Sequence, residues 1–194
     1  MSTLEIIATV LSLIYIVLAV NNKSICFVFG LFASIVWGYV SLYNYNLVFD
    51  AILQIFYVGM SVYGLYQWRS AHEDSSELPI THMTMVDHAI TVISGLVLGV
   101  AVAYCTSLVY DASWPYLDSL TTAFLMIATY YLVQRKIECW IYFIVADAIY
   151  IYIYYAQGAT LFAYMMIVYT FMAALGYWQW NREMKLRSDI NLTL

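Results

Sequence analysis

Tyr63-Gly64-Leu65-Tyr66-Gln67-Trp68 is answered 112 residues later by Leu175-Gly176-Tyr177-Trp178-Gln179-Trp180. Each run closes an apolar stretch, and the same offset lays Lys23 on Arg135, Tyr57 on Tyr169 and Met60 on Met172. A fixed offset held over that length reads as an internal repeat. Between polar breaks the chain has seven apolar stretches, Leu4 to Val20, Ile25 to Tyr43, Leu47 to Trp68, His88 to Tyr110, Leu117 to Val133, Ile137 to Ala156 and Thr160 to Trp180. At about 17 to 24 residues each, they are long enough to cross a hydrocarbon core about 30 Å thick. Each repeat unit holds three helices, and an even number of crossings separates equivalent positions, so both units face the same way. The sequence therefore predicts an all-α integral membrane protein of seven transmembrane helices, arranged 3+1+3 with parallel repeats about an axis along the membrane normal. Its parts are residues 1–68 (first repeat), 69–87 (cytoplasmic linker), 88–116 (helix four and outer loop), 117–180 (second repeat) and 181–194 (cytoplasmic tail).

Composition agrees. Of the 194 residues, 64% are apolar and only 10% charged, too few charges to cover a soluble domain of that length. Lys23, Arg69, Arg135, Lys136, Arg182, Lys185 and Arg187 fall at alternate helix ends, all on one face. By the positive-inside rule that face is cytoplasmic, which puts the N-terminus outside and the C-terminus inside. The first stretch lacks a basic n-region and a small-residue cleavage site, so it reads as a permanent helix. Cys26, Cys105 and Cys139 stand singly, which excludes a disulfide framework or a zinc site. A net charge of −5 does not suggest a nucleic-acid partner, and the basic residues are too dispersed for a polybasic lipid patch.

The informative side chains are the polar ones at depth. Asp147 lies about ten residues, roughly 15 Å, into helix six, where no Lys or Arg can reach it. It should face the bundle interior and take a proton, hydroxyl donors or an external cation as partner. Trp140, Phe143 and Asp147, at i, i+3 and i+7, form a stripe that Tyr150 and Tyr154 continue. Rings attract a cation and the acid balances it, so the stripe suits an aromatic cation; an aromatic packing face is the plain alternative. On helix three, Gln54 needs its amide satisfied, and Tyr57 and Ser61 continue its face. Asp50, one turn in from the outer end, is a mouth candidate. Gly64 and Gly176 permit close helix packing, and with Gln67 they are gate candidates. The segment 69–87 holds Pro79, several acids and His72 and His82, and reads as a linker rather than a site. There is no HExxH or GxSxG, so catalytic residues, metal ligands and cofactors are not expected. No lysine sits in mid-helix, which removes a retinal Schiff base, and a seven-helix receptor does not require the repeat.

Phe29-Gly30-Leu31, the stretch from Asp50 to Tyr57 leading into Tyr63-Gly64-Leu65-Tyr66-Gln67-Trp68, and Arg135-Lys136 followed by Glu138 and Trp140 together resemble the PnuC family of bacterial vitamin transporters. The parallel halves are also similar to the SWEET plan, in which substrate binds near the midplane where halves meet. The resemblance implies facilitated diffusion of nicotinamide riboside or a related vitamin across the inner membrane. It further implies trapping by a cytoplasmic vitamin kinase and a homotrimeric assembly. Gln54 matches a glutamine expected to touch substrate. In helix six the family pattern has Glu-Asn-Trp, a second Trp three residues on, then Asn or Asp. Glu138, Trp140 and Asp147 fit it, whereas Cys139 and Phe143 replace the Asn and the second Trp. Members that look similar carry thiamine or riboflavin, and the first two candidates, both aromatic cations, suit Asp147 better than neutral riboflavin does.

Overall fold

A computed structural model describes residues 2–44, 48–73, 78–108, 115–156, 158 and 160–193, leaving aside the side chains at 48–50, 70–73, 115, 161–162 and 188–193. Among the described residues the chain forms seven helices: α1 (Thr3–Val20), α2 (Cys26–Tyr43), α3 (Val48–Glu73), α4 (Met85–Ser107), α5 (Pro115–Val133), α6 (Cys139–Ala156) and α7 (Thr160–Thr193). Five of them, α1, α2, α4, α5 and α6, are long and apolar enough to cross a membrane. Ile55 on α3 is 70% exposed and Val97 on α4 is 66% exposed, an apolar exterior that water would penalise and lipid tails do not. This is a multi-pass membrane protein.

Contacts divide the chain into residues 1–79, with α1 to α3, and residues 80–194, with α4 to α7. In the first unit α1 packs on α2 and α2 on α3. In the second, α4, α5, α6 and α7 pack in sequential pairs, as short connections require. On α4, Gly95 faces the ring of Phe124 and Gly99 faces Leu120, a small-xxx-small seam that lets α4 and α5 approach closely.

Several boundaries differ from expectation. α3 runs past Trp68 to Glu73, so residues 69–73 are helix rather than linker. α4 starts at Met85 rather than His88. Thr84 Oγ1 accepts from the Asp87 amide at 3.1 Å while Asp87 Oδ2 accepts from the Thr84 amide at 2.7 Å, a capping box that satisfies two orphan donors. α5 opens on Pro115, which lacks the amide hydrogen that a first turn leaves unpaired anyway. Residues 181–193 continue α7 and are not a separate tail. Within the described part of the expected linker, Thr81 forms a parallel bridge with Lys136. The expected start at Leu47, the linker core 74–77, and the end of helix four and outer loop at 109–114 lie outside the described residues.

The same turn recurs once in each unit. Asn22 and Arg135 both adopt left-handed backbone, with φ of 58° and 54°. The Lys23 amide donates to the Leu18 carbonyl at 3.0 Å, and the Lys136 amide to the Tyr131 carbonyl at 2.9 Å. The Cys26 amide donates to Lys23 at 2.9 Å, and the Cys139 amide to Lys136 at 3.1 Å. These pairs are 113 residues apart, so Lys23 occupies the place of Lys136, not of Arg135 as a gapless offset lays it. The extra residue is absorbed between this turn and the Gly-x-x-x-Trp run, where Gly64 and Gly176, and Trp68 and Trp180, keep the offset of 112.

Candidate functional site

The aromatic end of α6 is tied to α7. Trp140 is fully buried. A Cβ built on Gly176 would come within 2.6 Å of its indole, and Trp180 meets the ring edge-on with centroids 5.3 Å apart at 88°. The first unit does the same with α2 and α3. Gly64 leaves room for the ring of Phe27, which Trp68 meets edge-on at 4.9 Å and 86°. Both glycines are small because an aromatic ring occupies the space of their missing side chain. Trp140 thus spends its ring on packing, yet its buried indole Nε1 has no acceptor within reach among the described residues. Such an orphan donor costs about 1–3 kcal/mol.

Phe143 lies one turn on, half-buried, with its ring 6.0 Å from Trp140 and tilted by 54°. A further turn along, Asp147 is only 7% exposed. Among the described residues no donor stands within hydrogen-bonding distance of its carboxylate, and no basic side chain approaches it. A buried acid of this kind in a membrane helix costs on the order of 3 kcal/mol when charged and unpaired.

The hydroxyl of Tyr150 is engaged within the protein. Its hydroxyl donates to Asp118 Oδ1 at 3.0 Å and sits 2.7 Å from Thr122 Oγ1, both on α5, while its ring stacks on Tyr154 at 5.4 Å and 18°. With the phenol proton on Asp118, Thr122 donates to the phenol oxygen. Thr122 carries no signal of its own in the sequence, although its i, i+4 spacing from Asp118 marks one face of α5.

On α3, Gln54 is half-buried beside Gly38, where a built Cβ would lie 3.3 Å from the Gln54 Cβ. Its amide makes no hydrogen bond among the described residues. Tyr57 meets Phe56 edge-on at 5.5 Å and 65°. Ser61 is buried next to Gly30, and Gln67 is half-buried. The side chain of Asp50 lies outside the described residues.

The register of the turn identifies a residue that the sequence offset hid. At 113 residues, Phe27 corresponds to Trp140 and Ser34 to Asp147, and all four side chains are buried. A gapless offset pairs Ser34 with Ala146 instead, which conceals that both copies bury a polar group at the same helical position.

Comparison with known proteins gives one consistent answer. The profile of the family described as nicotinamide mononucleotide transporter matches residues 2–182. The nicotinamide riboside transporter PnuC of Escherichia coli K12 is 23% identical over 214 aligned residues, covering 97% of this chain and 89% of the relative. The protein of the same name in Shigella flexneri matches equally, at 23% identity over 97% of this chain and 89% of its own length. The fold is similar to the crystal structure of the vitamin B3 transporter PnuC, with a TM-score of 0.71 and 23% identity, covering 94% of this chain and 82% of that one.

Proposed function

The chain belongs to the PnuC family of transporters, and from that premise we propose that it carries nicotinamide riboside across the inner membrane by facilitated diffusion. The observation that carries the substrate class is Asp147, a buried carboxylate on α6 to which, among the described residues, no donor comes within hydrogen-bonding distance. A pyridinium ring supplies the missing positive charge. The orphan Nε1 of Trp140, two turns away on the same helix, offers a donor to the ribose or the carboxamide. Phe143 presents the half-buried ring on which an aromatic cation can stack. In the first unit Gln54, whose amide has no hydrogen-bond partner among the described residues, and Tyr57, about one turn further on, are the candidates on α3. Tyr150 acts indirectly, by joining α6 to α5.

A cation needs no ion gradient. The membrane potential is worth about 2.3 kcal/mol per 100 mV for one charge, enough for roughly fifty-fold accumulation by a uniporter. Phosphorylation by a cytoplasmic vitamin kinase then traps the product. The 3+1+3 architecture draws support from the turn and the Gly-aromatic-Trp packing that recur in both units. On this plan α3 and α7 also cross the membrane, the basic ends are cytoplasmic, the N-terminus is outside, and three copies assemble. Phe143, in place of the second Trp of the family pattern, favours thiamine as the second candidate, because a smaller ring leaves more space around a thiazolium-bearing ligand.

Proteoliposomes with an inside-negative potential test the proposal. Labelled riboside accumulates unaltered and leaves when the potential is collapsed. Accumulation of thiamine alone moves the assignment to the second candidate. Chemically altered riboside inside the vesicles argues for an enzyme.

A further inference from the structure

Glu138 belongs to the stretch that carries the family resemblance, but its side chain points at neither Asp147 nor Trp140. It holds residues 80–84 instead. Glu138 Oε2 accepts from the Met83 amide at 2.8 Å, and Oε1 is 2.7 Å from His82 Nδ1. Lys136 Nζ donates to the His82 carbonyl at 3.1 Å. Between the backbones, the Thr81 amide donates to the Arg135 carbonyl at 3.0 Å and the Ile137 amide to the Thr81 carbonyl at 3.1 Å. Ile80 and Met83 are 7% and 8% exposed, so the segment is seated and not merely adjacent.

The first unit says what this carboxylate is not for. The α1–α2 turn has the same left-handed residue and the same hydrogen bonds, yet carries exposed Ile25 where α5–α6 carries Glu138. The turn therefore folds without an acid at that position. The acid serves the strap.

We propose that Glu138 is a positioning residue for transport: it clasps residues 80–84 to the α5–α6 turn, so that the start of α4 and the start of α6 move as one body. The clasp lies immediately before the Thr84–Asp87 cap of α4 and immediately before Trp140 on α6. A carboxylate that takes one backbone amide and one imidazole makes charge-assisted bonds, stronger than the two backbone bonds beside it. The proposal rests on the transport reading but not on the identity of the vitamin.

The test uses the full-length protein in proteoliposomes, with nicotinamide riboside, and thiamine if the riboside is not carried. Glu138→Ile installs the residue found in the first turn and should leave the turn folded, with Glu138→Gln as the milder variant. In Glu138→Ile, amide exchange at Thr81 and Met83 should rise roughly tenfold. Maximal uptake should fall about fivefold with substrate affinity unchanged, because conformational change and not binding is impaired. Glu138→Gln, which keeps an acceptor for Met83, should lie between. A disulfide between Thr81→Cys and Lys136→Cys, placed across the bridge, should restore uptake in the Glu138→Ile background and leave wild-type uptake unchanged. Normal uptake with raised exchange, unchanged exchange, failure of the disulfide to rescue, or a wild-type carrier stopped by the disulfide would each overturn the proposal. Failure of wild-type vesicles to take up the riboside sinks the substrate assignment alone.

Discussion

The α1–α2 turn and the α5–α6 turn share a backbone and little else. Both pivot on a left-handed residue, Asn22 or Arg135, and both send a helix toward a glycine and a tryptophan. In the first copy the following helix buries Phe27 and Ser34; in the second it buries Trp140 and Asp147. The turn and its packing thus recur while the buried side chains differ: α6 has Asp147 where α2 has Ser34, and Trp140 where α2 has Phe27. An element that recurs in both copies is explained by folding. An element present in one copy needs another reason, and that separates Gly176 from Asp147 and the turn from Glu138.

The comparison can be broken most severely at the shared packing. Gly64→Ala and Gly176→Ala each drive a methyl group into the body of a ring, and each should lower stability by about 1–3 kcal/mol. Thermal unfolding in detergent measures this; a loss at only one of the two positions would show that the Gly-ring contacts are not equivalent. Tyr150→Phe is next, since it removes the hydroxyl between Asp118 and Thr122, a link in the second unit alone. It should cost about 1 kcal/mol, near the usual worth of an interhelical hydrogen bond in a membrane, with riboside affinity preserved. A large loss of affinity would return Tyr150 to the binding face. Ser34→Ala should change stability by less than about 0.5 kcal/mol, because the hydroxyl has no hydrogen-bond partner among the described residues. Asn22→Gly should be the mildest, neutral or stabilising by a few tenths of a kcal/mol, roughly, as strain at positive φ is relieved against a greater loss of chain entropy.

Much of this was legible in the sequence. Apolar length marks out the seven helices, five of which are long and apolar enough to cross a bilayer, and the Gly-x-x-x-Trp echo marks two places where a glycine packs against a ring. Ends were less legible. α4 starts early through a cap made by Thr84 and Asp87, two polar residues that read as linker when the apolar run is the only guide. Register was hidden by a single extra residue, which pairs Ser34 with the wrong neighbour. Asp147 stands out in the sequence because an acid at depth is conspicuous by cost alone. Trp140 reads from its sequence position near an acid as a ligand face, while its ring packs on Gly176 and Trp180 and its N–H has no acceptor among the described residues. Glu138 and His82 were missed as partners, since a contact 56 residues apart in sequence leaves no local pattern.

The proposed function turns on Asp147, a buried carboxylate on α6 with no donor in reach among the described residues, receiving an aromatic cation. Titrating nicotinamide riboside calorimetrically into purified wild-type protein and into Asp147→Asn, in one buffer, tests it directly. The account predicts saturable binding to the wild type that weakens roughly tenfold or more, about 1.4 kcal/mol, in the variant. Equal affinity for both proteins would contradict it.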